Sequence, residues 1–141
     1  MDEYMSNLRV WGLTCPGFPE EVSRARRWTR DILSDTPCAD DAAVIVSELG
    51  TNALVHTASG NQAGTFHVSL ARTPHVIAIS VTDAGASGTA PRVEHPTDHA
   101  THGRGLGMVA ILATHVQVHG DHQGRTITAE LRIPRLRREI S

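Results

Sequence analysis

Glu48, Asn52 and His56 recur at a spacing of four. On a helix that spacing places a carboxylate, an amide and an imidazole in one row. A carboxylate so placed could activate a hydroxyl, and an amide oxygen suits Mg2+, which prefers hard oxygen donors. Taken alone, the same row is more often a solvated polar stripe. A second segment, Asp83-Ala84-Gly85-Ala86-Ser87-Gly88, follows the most apolar run of the chain. An aspartate at such a strand end can point into a cleft and accept a hydrogen bond from an exocyclic amine, although Asp-x-Gly more often forms an Asx turn. The third segment is Gly103-Arg104-Gly105-Leu106-Gly107-Met108. Glycines at a helix start let backbone N–H groups approach phosphate oxygens, where the helix dipole favours negative charge. A lone G-x-G-x-G is weak, and this one follows no strand as the dinucleotide-binding fingerprint requires.

The elements that must carry these residues read as follows. Leu8, Val10 and Leu13, with Trp11 between them, predict a first strand ending at Pro16 and Gly17. Pro19, Glu20 and Glu21 start a helix with Val22, Ala25, Trp28, Ile32 and Leu33 at helical spacing. Asp40 or Asp41 is expected to cap a second helix, apolar at Ala43, Val46, Leu49 and Ala53 and running to about Thr57. Phe66, Val68 and Leu70 alternate with polar neighbours, residues 76–81 are apolar on both faces, and the two strands form a hairpin around Thr73-Pro74. Residues 85–103 show no periodicity and are too long for a simple connection, and such a loop is usually functional or mobile. A helix over 105–114, apolar nearly all round, and a hairpin of strands 116–119 and 125–133 complete the chain. Consecutive helices followed by hairpins exclude a doubly wound sheet. They predict an α/β two-layer sandwich, a mixed but mainly antiparallel sheet with its helices on one face.

The 141 residues suit one domain with one core, here taken as 1–141. No apolar stretch is long enough to span a bilayer, and residues 1–6 carry Asp2 and Glu3 instead of a basic leader start. A cytoplasmic protein without a membrane partner is expected. Cys15 and Cys38 form no C-x-x-C pair, so free thiols are the default. A net charge of −2 argues against direct nucleic-acid binding.

In this order the three segments resemble the N, G1 and G2 boxes of the GHKL ATP-binding superfamily, over about residues 18–134. Within it the chain resembles small stand-alone members related to anti-sigma-factor serine kinases, whose boxes read E-L-x-T-N-A, D-x-G and G-R-G-L-G before a closing G-x-T strand. The resemblance implies a Bergerat ATP-binding fold with ATP and Mg2+ as cofactors. It assigns Glu48 to the incoming hydroxyl and Asn52 to Mg2+. Asp83 would read the adenine amine, with Gly85 giving the base room. Gly103, Arg104, Gly105, Leu106 and Gly107 would form the phosphate loop, Thr126 would lie near adenine, and 88–102 would be the lid. It further implies an anti-sigma-factor antagonist as substrate, a sigma factor as a further partner, and a homodimer through the first strand and helix that could involve Trp11 and Trp28, although core packing is the commoner role of such tryptophans. Two positions depart from the pattern: Ser87 replaces a glycine, and Val55 stands where many relatives carry a basic residue.

Three rivals remain. A non-catalytic module would keep the nucleotide site and use it to set a conformation for partner capture. Zinc at His95, His99 and His102, or at His115, His119 and His122, needs a helical backbone, against which Pro96 and Gly120 argue. A DNA-binding helix bearing Arg24, Arg26, Arg27 and Arg30 also carries acids and an apolar face, as a packed surface helix does.

Overall fold

A computed structural model of the protein describes residues 7–56, 64–84, 106–121 and 124–134. The elements are β1 (Arg9–Pro16), α1 (Pro19–Ile32), α2 (Ala39–His56), β2 (Thr65–Arg72), β3 (Val76–Asp83), α3 (Gly107–Leu112), β4 (His115–Asp121) and β5 (Gly124–Arg132). The strands form one five-stranded sheet in the order β1-β2-β3-β5-β4. Every neighbouring pair is antiparallel, which lies at the antiparallel end of the sheet expected.

Strict alternation decides which face is covered. Phe66, Val68 and Leu70 on β2, Ile77, Ile79 and Val81 on β3, and Ile127, Ala129 and Leu131 on β5 are buried. They meet Leu33 and the buried α2 residues Ala42, Ile45, Val46, Leu49 and Ala53 in one core. The opposite face is a hydroxyl-rich surface, where Ser80 bonds Thr128 and Thr82 bonds Thr126, each at 2.8 Å. The result is two layers, helices on one side and that surface on the other.

Local packing adds detail, and two of the expectations need correction. On β1 the inward residues are Trp11, Leu13 and Cys15, while Leu8 and Val10 are exposed, because Trp11 and Leu13 pair with Leu70 and Val68 on the core side. Trp11 and Trp28 are half-buried and pack against the core, in line with the core-packing role expected of them. The second helix is not capped by Asp40 or Asp41. Its first intrahelical acceptor is the Cys38 carbonyl, which takes the Ala42 N–H at 2.8 Å, while Thr36 Oγ1 accepts the Cys38 N–H at 3.0 Å. The aspartates sit in the first turn, where the dipole favours them. Finally, α3 spans only Gly107–Leu112 among the described residues and is not buried all round, with Met108 and Ile111 exposed. It stops because Ala113 turns extended and Thr114 donates its N–H to the Glu130 carbonyl, starting the β4 ladder. Among the described residues no helix is long and apolar enough to cross a membrane.

Candidate functional site

Contacts at its two ends fix the direction in which α2 crosses the sheet. At its start, the Cys38 thiol lies 3.7 Å from the Arg132 carbonyl oxygen at the end of β5. Toward its other end, a Cβ on Gly50 would stand 3.3 Å from a Val22 methyl carbon and 3.6 Å from the Phe66 ring at the start of β2. A side chain there would press on Val22, so glycine suits the close meeting of α1, α2 and β2. Thus α2 runs antiparallel to β5 and parallel to β3. Its last turns, with Glu48 and Asn52, lie over the edge of the sheet where β3 ends at Asp83 and β5 begins at Gly124.

Asn52 is the unusual member of this helix. Its side chain is 5% exposed, and Oδ1 is buried with no hydrogen-bond partner among the described residues. Leaving such an oxygen without a partner costs about 1–3 kcal/mol. A polar group in that condition marks a place for a ligand or ion to satisfy it. Glu48, one turn earlier, is half-buried and keeps access to solvent. Alone among the helix row foreseen in the sequence, the His56 side chain lies outside the described residues.

Asp83 is the last residue of β3 and continues its inward series, Ile77, Ile79 and Val81. The carboxylate is therefore buried in the layer between sheet and helices. Its register partner on β5 is Arg125, whose Nε lies 3.6 Å from Asp83 Oδ2, with the two side chains 4% and 20% exposed. Thr126, expected near adenine, is one residue further along β5 and so points the other way. Its hydroxyl bonds Thr82 on the outer face. The structure thus brings Arg125, not Thr126, to the aspartate. The sequence held the signal for this: Ile127, Ala129 and Leu131 set the inward parity of the strand, and Arg125 falls in that series.

At the head of α3, Leu106 is half-buried against the core and Gly107 opens the helix, which packs on α2. Gly85, Gly103, Arg104 and Gly105 lie outside the described residues, as do Ser87, the lid histidines His95, His99 and His102, and His122. His115 and His119 are on a strand, where a spacing of four separates them by roughly 13 Å. The helical condition for zinc is therefore not met by these two. On α1, Arg24 is paired with Glu21 at 2.7 Å and Arg30 with Asp40 at 3.1 Å, as expected of a packed surface helix. Burial pushes the Cys15 and Cys38 thiols above the ordinary thiol range, which leaves both unreactive.

Solved structures share this architecture. Rv1364c from Mycobacterium tuberculosis, in a structure of its RsbU and RsbW domains, superposes with a TM-score of 0.67 at 18% identity, covering 89% of this chain and 32% of that one. The chain therefore spans about a third of that protein's length. The SiaB–SiaC complex from Pseudomonas aeruginosa gives 0.60 at 14% identity, covering 92% of this chain and 94% of the other. These likenesses establish the fold. No curated protein sequence matches the chain. The sequence pattern described as "Histidine kinase-like ATPase domain" matches residues 15–131, well over half of the chain. The chain belongs to the histidine kinase-like ATPase domain family, a membership that implies ATP binding.

Proposed function

We propose that this protein is an ATP-binding regulator acting as a serine/threonine kinase of the anti-sigma-factor type on an anti-sigma-factor antagonist. The observation that carries the reading is the buried Oδ1 of Asn52, without a hydrogen-bond partner among the described residues, one turn after Glu48 and over the same sheet edge as Asp83. An orphaned amide oxygen is the donor a hard cation takes, so the residues fit Mg2+ held at the phosphates of ATP. Bound there, the cation would neutralise charge on the phosphates. Asp83 accepts a hydrogen bond from the base, Gly85 leaves it room, and Gly103, Arg104, Gly105, Leu106 and Gly107 line the phosphates. Glu48 takes the proton of the incoming serine hydroxyl as its oxygen bonds the γ-phosphorus; the bond to the β-phosphate oxygen breaks and ADP leaves. Thr126 has no part in this reading, because its hydroxyl is on the outer face.

The partner assignment draws on the resemblance of the boxes to anti-sigma-factor kinases and on the company in which the similar structures were solved, RsbU with RsbW and SiaB with SiaC. A cytoplasmic homodimer balancing an antagonist against a sigma factor completes it. The second reading, a non-catalytic partner-switching module, is favoured by Val55, which is 65% exposed where a cation could have met a phosphate. Incubation with γ-labelled ATP and antagonist proteins separates the two. The kinase reading expects label on a serine, lost in Glu48→Ala while ATP binding persists. ATP binding by the parent with no transfer to any antagonist assigns the module instead.

A further inference from the structure

The ion pair at the base end of the site has a consequence for which purines can enter it, and this inference rests on the nucleotide-site reading above. Asp83 and Arg125 are register partners on the inward face, with Nε and Oδ2 3.6 Å apart. On the other side of Arg125 the register partner is Gly120, which has φ +110 and no side chain to share that face. A Cβ there would collide with the Gly124 carbonyl oxygen, so backbone geometry confines the position to glycine. Arg125 thus has a carboxylate as its register neighbour on β3 and a residue without a side chain as its register neighbour on β4.

A lone carboxylate only accepts hydrogen bonds. Set against a purine, it attracts the 6-amino group of adenine and repels the 6-oxo group of guanine or hypoxanthine. A guanidinium only donates, and it cannot lose its charge in a protein. Side by side the two offer an acceptor and a donor. That set meets adenine through the amine to Asp83 and N1 to Arg125. It meets a 6-oxopurine equally well, through N1–H to Asp83 and O6 to Arg125. We propose that Arg125 is a specificity-determining residue that opens this site to 6-oxopurine nucleotides, GTP and ITP, alongside ATP.

The test is competition of ATP, GTP and ITP against a fluorescent ATP analogue on the full chain with Mg2+, in the parent, Arg125→Ala and Arg125→Lys. The parent is expected to bind GTP and ITP within about tenfold of ATP. Arg125→Ala is expected to widen the gap to about a hundredfold, the cost of facing a carbonyl oxygen with an unneutralised acceptor, and Arg125→Lys to restore the narrow ratio by returning a charged donor. Thermal melts establish that each variant is folded, and the parent's own ratio decides the matter if Arg125→Ala is not. A parent that binds ATP while rejecting GTP and ITP more than a hundredfold overturns the proposal, as does an unchanged ratio in a folded Arg125→Ala. Failure to bind any purine nucleotide overturns the nucleotide reading itself and this inference with it.

Discussion

Two Asp–Arg pairs stand at opposite ends of the same sheet, and they are built differently. At the end of β2, Arg72 grips Asp35 with both terminal nitrogens at 2.9 Å, and Asp35 is 65% exposed. This pair pins the turn after α1 to the sheet and is complete in itself. At the end of β3, Asp83 faces Arg125 at 3.6 Å in the buried layer, under the part of α2 where Asn52 holds an oxygen without a partner among the described residues. Polar groups placed at such cost are kept where a ligand recovers it, whereas a solvated bidentate pair costs little and contributes little. On the proposed reading, the contrast separates an end that serves the fold from one that serves binding.

The sharpest way to break this contrast is to remove each carboxylate in turn. Asp83→Ala takes away the charge facing Arg125 and is expected to cost about 3 kcal/mol in urea unfolding, with loss of adenine-nucleotide affinity. Asn52→Leu should act in the opposite direction on stability. Replacing an unsatisfied amide by an apolar side chain of similar size is expected to raise unfolding free energy by about 1 kcal/mol while Mg2+-dependent nucleotide binding disappears. A destabilised Asn52→Leu would mean that the amide serves the fold after all.

Smaller effects sharpen the other side. Thr126→Val removes one hydroxyl pair on the outer face and should cost about 1 kcal/mol, with nucleotide affinity untouched. Asp35→Asn should cost less than about 1 kcal/mol and leave binding unchanged. Its pH dependence has a definite sign. The hydrogen bonds from Arg72 hold the Asp35 carboxyl below its ordinary value. Its contribution is therefore fully present above the unfolded carboxylate pKa of about 3.9 and is lost as pH falls through the lower folded value. Parent and Asp35→Asn denaturation curves should converge in acid and separate toward neutrality.

Much of this arrangement was legible in the residues. Wherever alternation ran for a whole strand, as at Phe66, Val68 and Leu70, it gave the inward face, and Thr73-Pro74 marked the hairpin between β2 and β3. The edge strand β1 was harder, because apolar residues stand at both parities and only its pairing with Leu70 and Val68 chooses Trp11 and Leu13 over Leu8 and Val10. At the head of α2 two aspartates obscured a start set by Thr36 and Cys38, since acids suit both a cap and a first turn. At the site, Glu48, Asn52 and Asp83 stood out by type and spacing. Arg125 did not, because a motif reading fixes on the threonine after the glycine, whereas the pleat of β5 assigns the inward place to its neighbour. The closure of Gly50 on Val22 and Phe66 was invisible for the same kind of reason, being a meeting of three elements distant in sequence.

The central claim is that the end of the sheet carrying Asn52 and Asp83 is a Mg2+-dependent adenine-nucleotide site. It is tested most directly by calorimetric titration of ATP with and without Mg2+ into the parent, Asn52→Ala and Asp83→Asn. The account predicts tight binding by the parent only with Mg2+, loss of the Mg2+ dependence in Asn52→Ala, and at least about tenfold weaker ATP binding in Asp83→Asn. Equal affinities with and without the cation in all three proteins would contradict it.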